Sequence, residues 1–185
     1  MKHPSNRAFF AYWEGKRGHA RAPDRSDIEP SAVRELLGDI FVLSYDHDGG
    51  HPFRVAGTRL CALAGADVKD KSFAALFAPE SRGEIDDIIT HVCEETLPAT
   101  AGLTATSEKG TLAHLELLLL PFNNRPHTPL SLTGLLAPFE TDFVTLRDFQ
   151  LTSWRYLHPP PEKLVPRTLR KLAIARGFMV YEGIR

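Results

Sequence analysis

An antiparallel α+β domain built on a single sheet is the fold class this sequence predicts, and three observations predict it. Helical and strand-like periodicities follow one another as two helices, two strands, a group of short helices, one long helix and three strands. Turn-rich segments separate the strands within each set, at residues 46–52, 107–110 and 123–127, as hairpins require. Residues 117–120 are four successive leucines, which marks a strand covered on both faces. Helices gathered between two sets of hairpins belong to an antiparallel sheet rather than to alternating βα units.

Each element has a local reason. Residues 5–18 read as a helix, because Phe9, Tyr12, Trp13 and Lys16 recur at i, i+3, i+4 and i+7 and Gly15 and Gly18 weaken the end. Residues 22–26 form a loop, since Pro23 removes a backbone donor and Asp24 and Ser26 favour turns. Pro30 suits the first position of a short helix with Val33, Leu36 and Leu37 on its apolar side, closed by Gly38 and Asp39. Residues 40–45 are β-branched and aromatic, a strand, and residues 53–56 are its hairpin partner. Gly57 and Thr58 start a helix that Gly65 ends, and Phe73, Leu76 and Phe77 mark another short helical face. The longest helix opens at Pro79, with Ile85, Ile88, Ile89, Val92 and Thr96 on one stripe. Residues 98–106, 112–120 and 131–137 are the last three strands.

Composition bounds the function. The chain has 185 residues, 43% hydrophobic and 24% charged, enough for one domain with a sizeable core. No apolar run reaches the roughly 18–20 residues that span a bilayer, the first residues lack a secretory pattern, and Cys61 and Cys93 form neither a disulfide framework nor a metal knuckle. These features disfavour membrane-spanning, secreted and zinc-ribbon classes, and a cytoplasmic protein is expected. Charge is segregated: residues 1–25 hold six Lys/Arg against two Asp/Glu, residues 26–150 nine against nineteen, and residues 151–185 seven against two. So acidic a body repels phosphates, which disfavours nucleic acid as a partner. The basic ends are expected to pack back on the acidic body or on a partner copy.

Four segments carry a likeness to a known family: Ala11-Tyr12-Trp13, residues 23–30 (PDRSDIEP), residues 53–60 (FRVAGTRL) and residues 116–121 (ELLLLP), with Val180-Tyr181-Glu182-Gly183 resembling its ending. Over about residues 5–140 the chain resembles the small stand-alone PAS-like proteins of bacteria. Glu29 before Pro30 departs from the Asp expected there as a stronger helix cap. The resemblance implies a PAS-like five-stranded antiparallel sheet covered by short helices and one long helix, with an N-terminal flanking helix. The division expected is residues 1–25 for that helix and its loop, 26–140 for the PAS-like domain, and 141–185 for a Pro-containing linker and basic tail. It also implies a sensory or signalling role through a small ligand or a protein partner, and dimerisation through the flanking helix.

The residues themselves offer limited chemistry. Arg54 interrupts an apolar strand and is the candidate anchor for an anionic ligand at a pocket mouth; a structural ion pair or a solvent-facing edge position is the plainer reading. Phe73, Phe77, Ile88, Leu103 and Leu118 are the candidate apolar wall, and equally ordinary core. Glu116 also interrupts a strand, with a structural role expected. His47, Asp48 and His51 sit in a polar turn expected to be solvated, so no metal is assigned. His91 lies about 110° from the centre of its helix's apolar stripe at about 100° per residue, which disfavours haem. Cys93 suits a semi-buried small side chain better than a flavin-reactive thiol. The cofactor is left unassigned. The aromatic stripe of Phe9, Tyr12 and Trp13 must be covered, by its own sheet or in a homodimer, and the dimer is the expectation. The reading is a non-enzymatic sensory or regulatory module that binds a small molecule or a protein partner. The alternatives are a structural interaction module with a filled pocket, or an enzyme acting on a small acid through Arg54 and a nearby His or Glu.

Overall fold

Successive residues of a strand face opposite sides of a sheet, so four leucines in a row need two cores. The computed structural model supplies both. It describes residues 1–48, 50–124, 129–140 and 145–158, together with the backbone of two further strands at 169–175 and 178–183. Strand β4 (Leu112–Pro121) sends Leu117 and Leu119 into an inner core, and Leu118 and Leu120 into an outer one. Its neighbours are β1 (Ile40–Ser44), β2 (Phe53–Ala56), β3 (Ala99–Ser107) and β5 (Ser131–Pro138), all antiparallel. Their spatial order, β2-β1-β5-β4-β3, is the two-plus-three division expected. Register is set by matched apolar pairs such as Leu118↔Leu135 and Leu103↔Leu115.

Helix α1 (Pro4–Arg17) covers the outer face, packing on β4 and β5. Phe9 and Trp13, one turn apart, are both fully buried there among Leu118, Leu120 and Leu135. The Trp13 indole donates to the Pro121 carbonyl at 3.0 Å, which satisfies the one polar atom the ring brings in. Phe9 and Trp13 of the stripe are thus covered by the chain's own sheet, the first of the two covers the sequence allows. Buried Glu116 fastens the start of the helix. Its carboxylate accepts from the backbone N–H groups of Lys2 (2.6 Å) and His3 (2.9 Å) and from the Asn6 amide (3.2 Å), and its own carbonyl accepts a second Asn6 bond (3.0 Å).

The inner face is closed by α2 (Thr58–Ala64), a 3₁₀ turn at Ala74–Leu76 and α3 (Pro79–Glu95). Helix α3 buries Ile85, Ile88, Ile89 and Val92 along the stripe its sequence indicates, with Cys93 beside them. The short stretch before α2 has a steric basis. A Cβ on Gly57 would collide with the Leu37 and Gly38 carbonyls, so only glycine lets the chain pass there. The Gly38 carbonyl then receives the N–H groups of Arg59 (2.9 Å) and Leu60 (3.1 Å). Arg59 forks onto Asp39 at 2.8 and 2.6 Å.

Past residue 140 the structure corrects the expected boundary and strand number. Residues 146–156 are not linker but strand β6 (Leu146–Tyr156), antiparallel to β3, and the sheet runs on through β7 (Leu169–Ala175) and β8 (Phe178–Gly183) to eight strands among the described residues. The proline run 159–161 lies outside the described residues.

Because Glu116 holds two backbone N–H groups and an amide at once, removing its charge should loosen α1 first. Glu116→Gln should lower unfolding stability by about 1–3 kcal/mol, with Glu116→Ala at least as damaging. Hydrogen exchange should accelerate in residues 4–17 before it does in α3, and equal acceleration in both would refute this anchoring role.

Candidate functional site

The predicted ligand wall is split by the sheet. Phe73, Phe77, Ile88 and Leu103 do meet on the inner face, but Leu118 lies on the outer face under α1. The inner four belong to one hydrophobic core, in which the phenylalanines form a continuous aromatic pack. Phe73 is 5.2 Å from Phe41, 5.4 Å from Phe53 and 5.4 Å from Phe77, centroid to centroid, and Phe77 is 6.1 Å from Phe149 of β6. All five rings are at most 2% exposed. Spacings of this kind are those of rings in direct edge or offset contact, so these side chains fill one another's space as core.

Arg54 lies elsewhere. Phe53 points into the inner core, and alternation turns Arg54 to the outer face. There it lines an open cleft of about 640 Å³ between the end of the sheet and the loop that follows α1. The loop contributes Arg25 and Ser26, β1 contributes Ser44, and β5 with the turn before it contributes Leu130 and Ser131. Phe122 and Asn123 complete the floor. Among the described residues neither Arg25 nor Arg54 takes part in a salt bridge.

Several contacts hold the loop in place. The Tyr12 hydroxyl accepts from the Glu29 N–H at 2.9 Å and reaches the Asp27 carbonyl at 3.4 Å, and Lys16 pairs with Glu29 at 2.6 Å. The Asp27 carboxylate caps the Asp24 N–H at 2.9 Å. Asn123 joins loop and sheet, its N–H donating to the Pro23 carbonyl (2.9 Å) and its amide to the Asp24 carboxylate (3.3 Å). Asp24 is thus drawn toward Asn123.

A second polar group lies at the hairpin between β1 and β2. His51, expected to be solvated, is fully buried, with its ring stacked on Tyr45 at 5.5 Å. Its Nδ1 accepts from the Asp46 N–H at 3.2 Å, which assigns the proton of the neutral ring to Nε2. Nε2 sits 3.8 Å from Asp86 of α3 and makes no hydrogen bond among the described residues. Burial lowers the His51 pKa, opposed by the charges of Asp86 and Asp46. The Tyr45 phenol donates to Glu94 at 2.5 Å and is pushed up to about 12 chiefly by that bond. Burial likewise pushes the Cys93 thiol up to about 12, so the sulfur stays a protonated core group at neutral pH. His91 is half-buried, its ring nitrogen 2.7 Å from the Asp87 carbonyl one turn back.

Sequence reasoning thus reached Arg54 without assigning it a face, and it missed Arg25, Asn123 and His51. Arg25 and Asn123 fall in turn-forming segments, and nothing in either segment announces the other. His51 shows only as one polar residue among many, and nothing in the sequence marks the positive φ of 40° at which it is buried.

A depressed histidine pKa means that the folded state resists protonation while the unfolded chain accepts it. Stability should therefore be full above the ordinary histidine value and decline as pH falls through it toward the folded value. Urea midpoints at about pH 7.5 and about pH 5.5 should differ more in the wild type than in His51→Asn, which tolerates the same backbone. Equal differences would show that His51 is not the titrating group.

A family model described as "PAS domain" matches residues 1–137. No curated protein matches the chain. Among solved structures, the chain is similar to the Rhodobacter sphaeroides LOV protein, with 10% identity, 62% of this chain and 70% of that one covered, and a TM-score of 0.45. It is similar to the dark structure of the blue-light photoreceptor Aureochrome1 LOV at 13% identity, 60% and 83% coverage and a TM-score of 0.45. The PAS domain of a protein from Colwellia psychrerythraea gives 13% identity, 58% and 95% coverage and a TM-score of 0.41.

Proposed function

The chain belongs to the PAS domain family, and from that premise we propose that it is a non-enzymatic regulatory module whose occupancy by a small molecule is read by a protein partner. The observation that carries this reading is the outer cleft. At about 640 Å³ it falls within the size range of small-molecule sites, and it joins a few polar groups to an apolar floor. The reading of an enzyme acting on a small acid has less support. It needs a base or acid within reach of substrate and poised near neutrality, whereas His51 is sealed in the core and the Tyr45 and Cys93 protons are held up to about 12.

A second reading, a docking module with no ligand, is favoured by the inner aromatic pack, where rings stand in the place a ligand would take. It makes the partner surface the whole of the function.

Native mass spectrometry of the purified chain, read against the denatured mass, separates the two. The expected result is a reproducible added mass lost on denaturation, carried by a monomer because the α1 stripe is already covered. A bare chain, with no thermal stabilisation across a panel of small metabolites, would overturn the ligand reading in favour of docking. A bare dimer would also revive self-association as the output.

A further inference from the structure

We propose that the outer cleft is a site for a small organic anion, its carboxylate or phosphoryl group held by Arg25 and Arg54 and its apolar body resting on Phe122 and Leu130. This rests on the ligand-binding reading above and names the chemistry of the ligand.

Two guanidinium groups from separate segments, one on the loop after α1 and one on β2, line the same cleft. A guanidinium is always charged and presents planar paired donors that match a carboxylate or phosphate. Arg17 and Arg59 are held by carboxylates at 2.8 and 2.6 Å, which leaves neither free to take up an anion. Arg25 and Arg54 have no such partner among the described residues, although residues 26–150 carry nineteen Asp/Glu against nine Lys/Arg. The one carboxylate in the lining, Asp24, accepts from Asn123, and the cleft keeps a net positive charge. Ser44 and Ser131 add hydroxyl donors from adjacent strands. Phe122 is only 6% exposed and Leu130 is half-buried, and together they give the cleft an apolar floor, suited to an organic body rather than a bare inorganic ion.

Occupancy would have a structural consequence. The loop bearing Arg25 is tied to α1 through Tyr12 and Lys16, whereas Arg54 belongs to the sheet edge. An anion held by both would cross-link the two.

The test is an amide chemical-shift titration of the full chain with benzoate, phenyl phosphate, benzamide and inorganic phosphate at matched chloride, up to ~10 mM. Saturable shifts clustered at residues 24–26, 44, 54 and 130–131 are expected for benzoate or phenyl phosphate, and the stronger of these two assigns carboxylate or phosphoryl. Neutral benzamide should shift none of these residues, and inorganic phosphate should bind more weakly for want of an apolar body. Arg25→Gln and Arg54→Gln should each weaken binding tenfold or more with dispersed spectra intact, while Arg147→Gln, exposed on β6 and outside the cleft lining, should not. Saturable shifts confined to the inner core would overturn the anion site and leave the ligand-binding reading standing. No saturable shift with any probe would overturn the anion site, and the native mass spectrum then decides the wider reading independently. Equal response to benzoate and benzamide would overturn the role of the two arginines.

Discussion

The structure depends on one strand being buried from both sides. β4 places Leu117 and Leu119 against the helices of the inner face and Leu118 and Leu120 against α1. Each face costs water-exposed apolar area if left bare, at roughly 25 cal/mol per Å² of surface removed from water. The sheet therefore needs two covers, and the chain has to supply the second from its N-terminal end. Glu116 lies in the same strand and points the same way as Leu118 and Leu120. The residue that breaks the apolar pattern is thus the one that grips the N-terminal backbone at 2.6 and 2.9 Å. A buried carboxylate without partners would be destabilising, and this one has three donors. Cover and clasp are encoded within five residues.

Where function is concerned, that arrangement moves attention from the inner face to the outer one. The inner space is occupied by rings from four separate segments, β1, β2, the 3₁₀ turn with its flanks, and β6. Helix α1 covers β4 and β5, and the chain leaving it crosses toward the ends of β1 and β2, where the cleft forms. The cleft is therefore a by-product of the second cover: a helix long enough to hide Leu118 and Leu120 leaves the neighbouring sheet end to a loop.

Much of this is legible in the sequence, and the failures have particular causes. Helices α1 to α3 and strands β1 to β5 appear where the sequence puts them, the longer helices by their 3.6 repeat and the strands by apolar runs bounded by turn residues. Strand β6 does not show, since its inward residues Leu146, Phe149, Leu151, Trp154 and Tyr156 are spaced three, two, three and two apart. Two irregularities in its pairing with β3, one beside Asp148 at a φ of 54°, insert the extra residues, and a strict alternation test discards such a strand. With β6 went Phe149, and with Phe149 the evidence that the inner wall is filled. Leu118 was assigned to the wrong face for the opposite reason. In a run of four leucines the pattern is equally good in either register, and a one-residue slip exchanges the faces. The aromatic stripe of α1 reads alike whether its own sheet or a second copy covers it, since periodicity reports that a face is buried and not by what.

Arg54 shows the same limit at the candidate site. Its charge marks it in the sequence, but which face it takes is decided by Phe53 beside it, and what stands near it is decided by a loop about thirty residues upstream. Pairing of opposite charges over such distances is invisible to pattern, and so is its absence. Convergence carries the weight here: two guanidinium groups from distant segments, neither in a salt bridge among the described residues, line one cleft in which Asp24 is the one lining carboxylate. Asp24 precedes Arg25 in the same loop and lines the same cleft, and its carboxylate is engaged by Asn123, the residue that also stitches the loop to the sheet at the Pro23 carbonyl. The same contact that builds the cleft's wall thus reduces the competition for its cations, which ties the cleft's electrostatics to its architecture rather than to the chance exposure of two side chains.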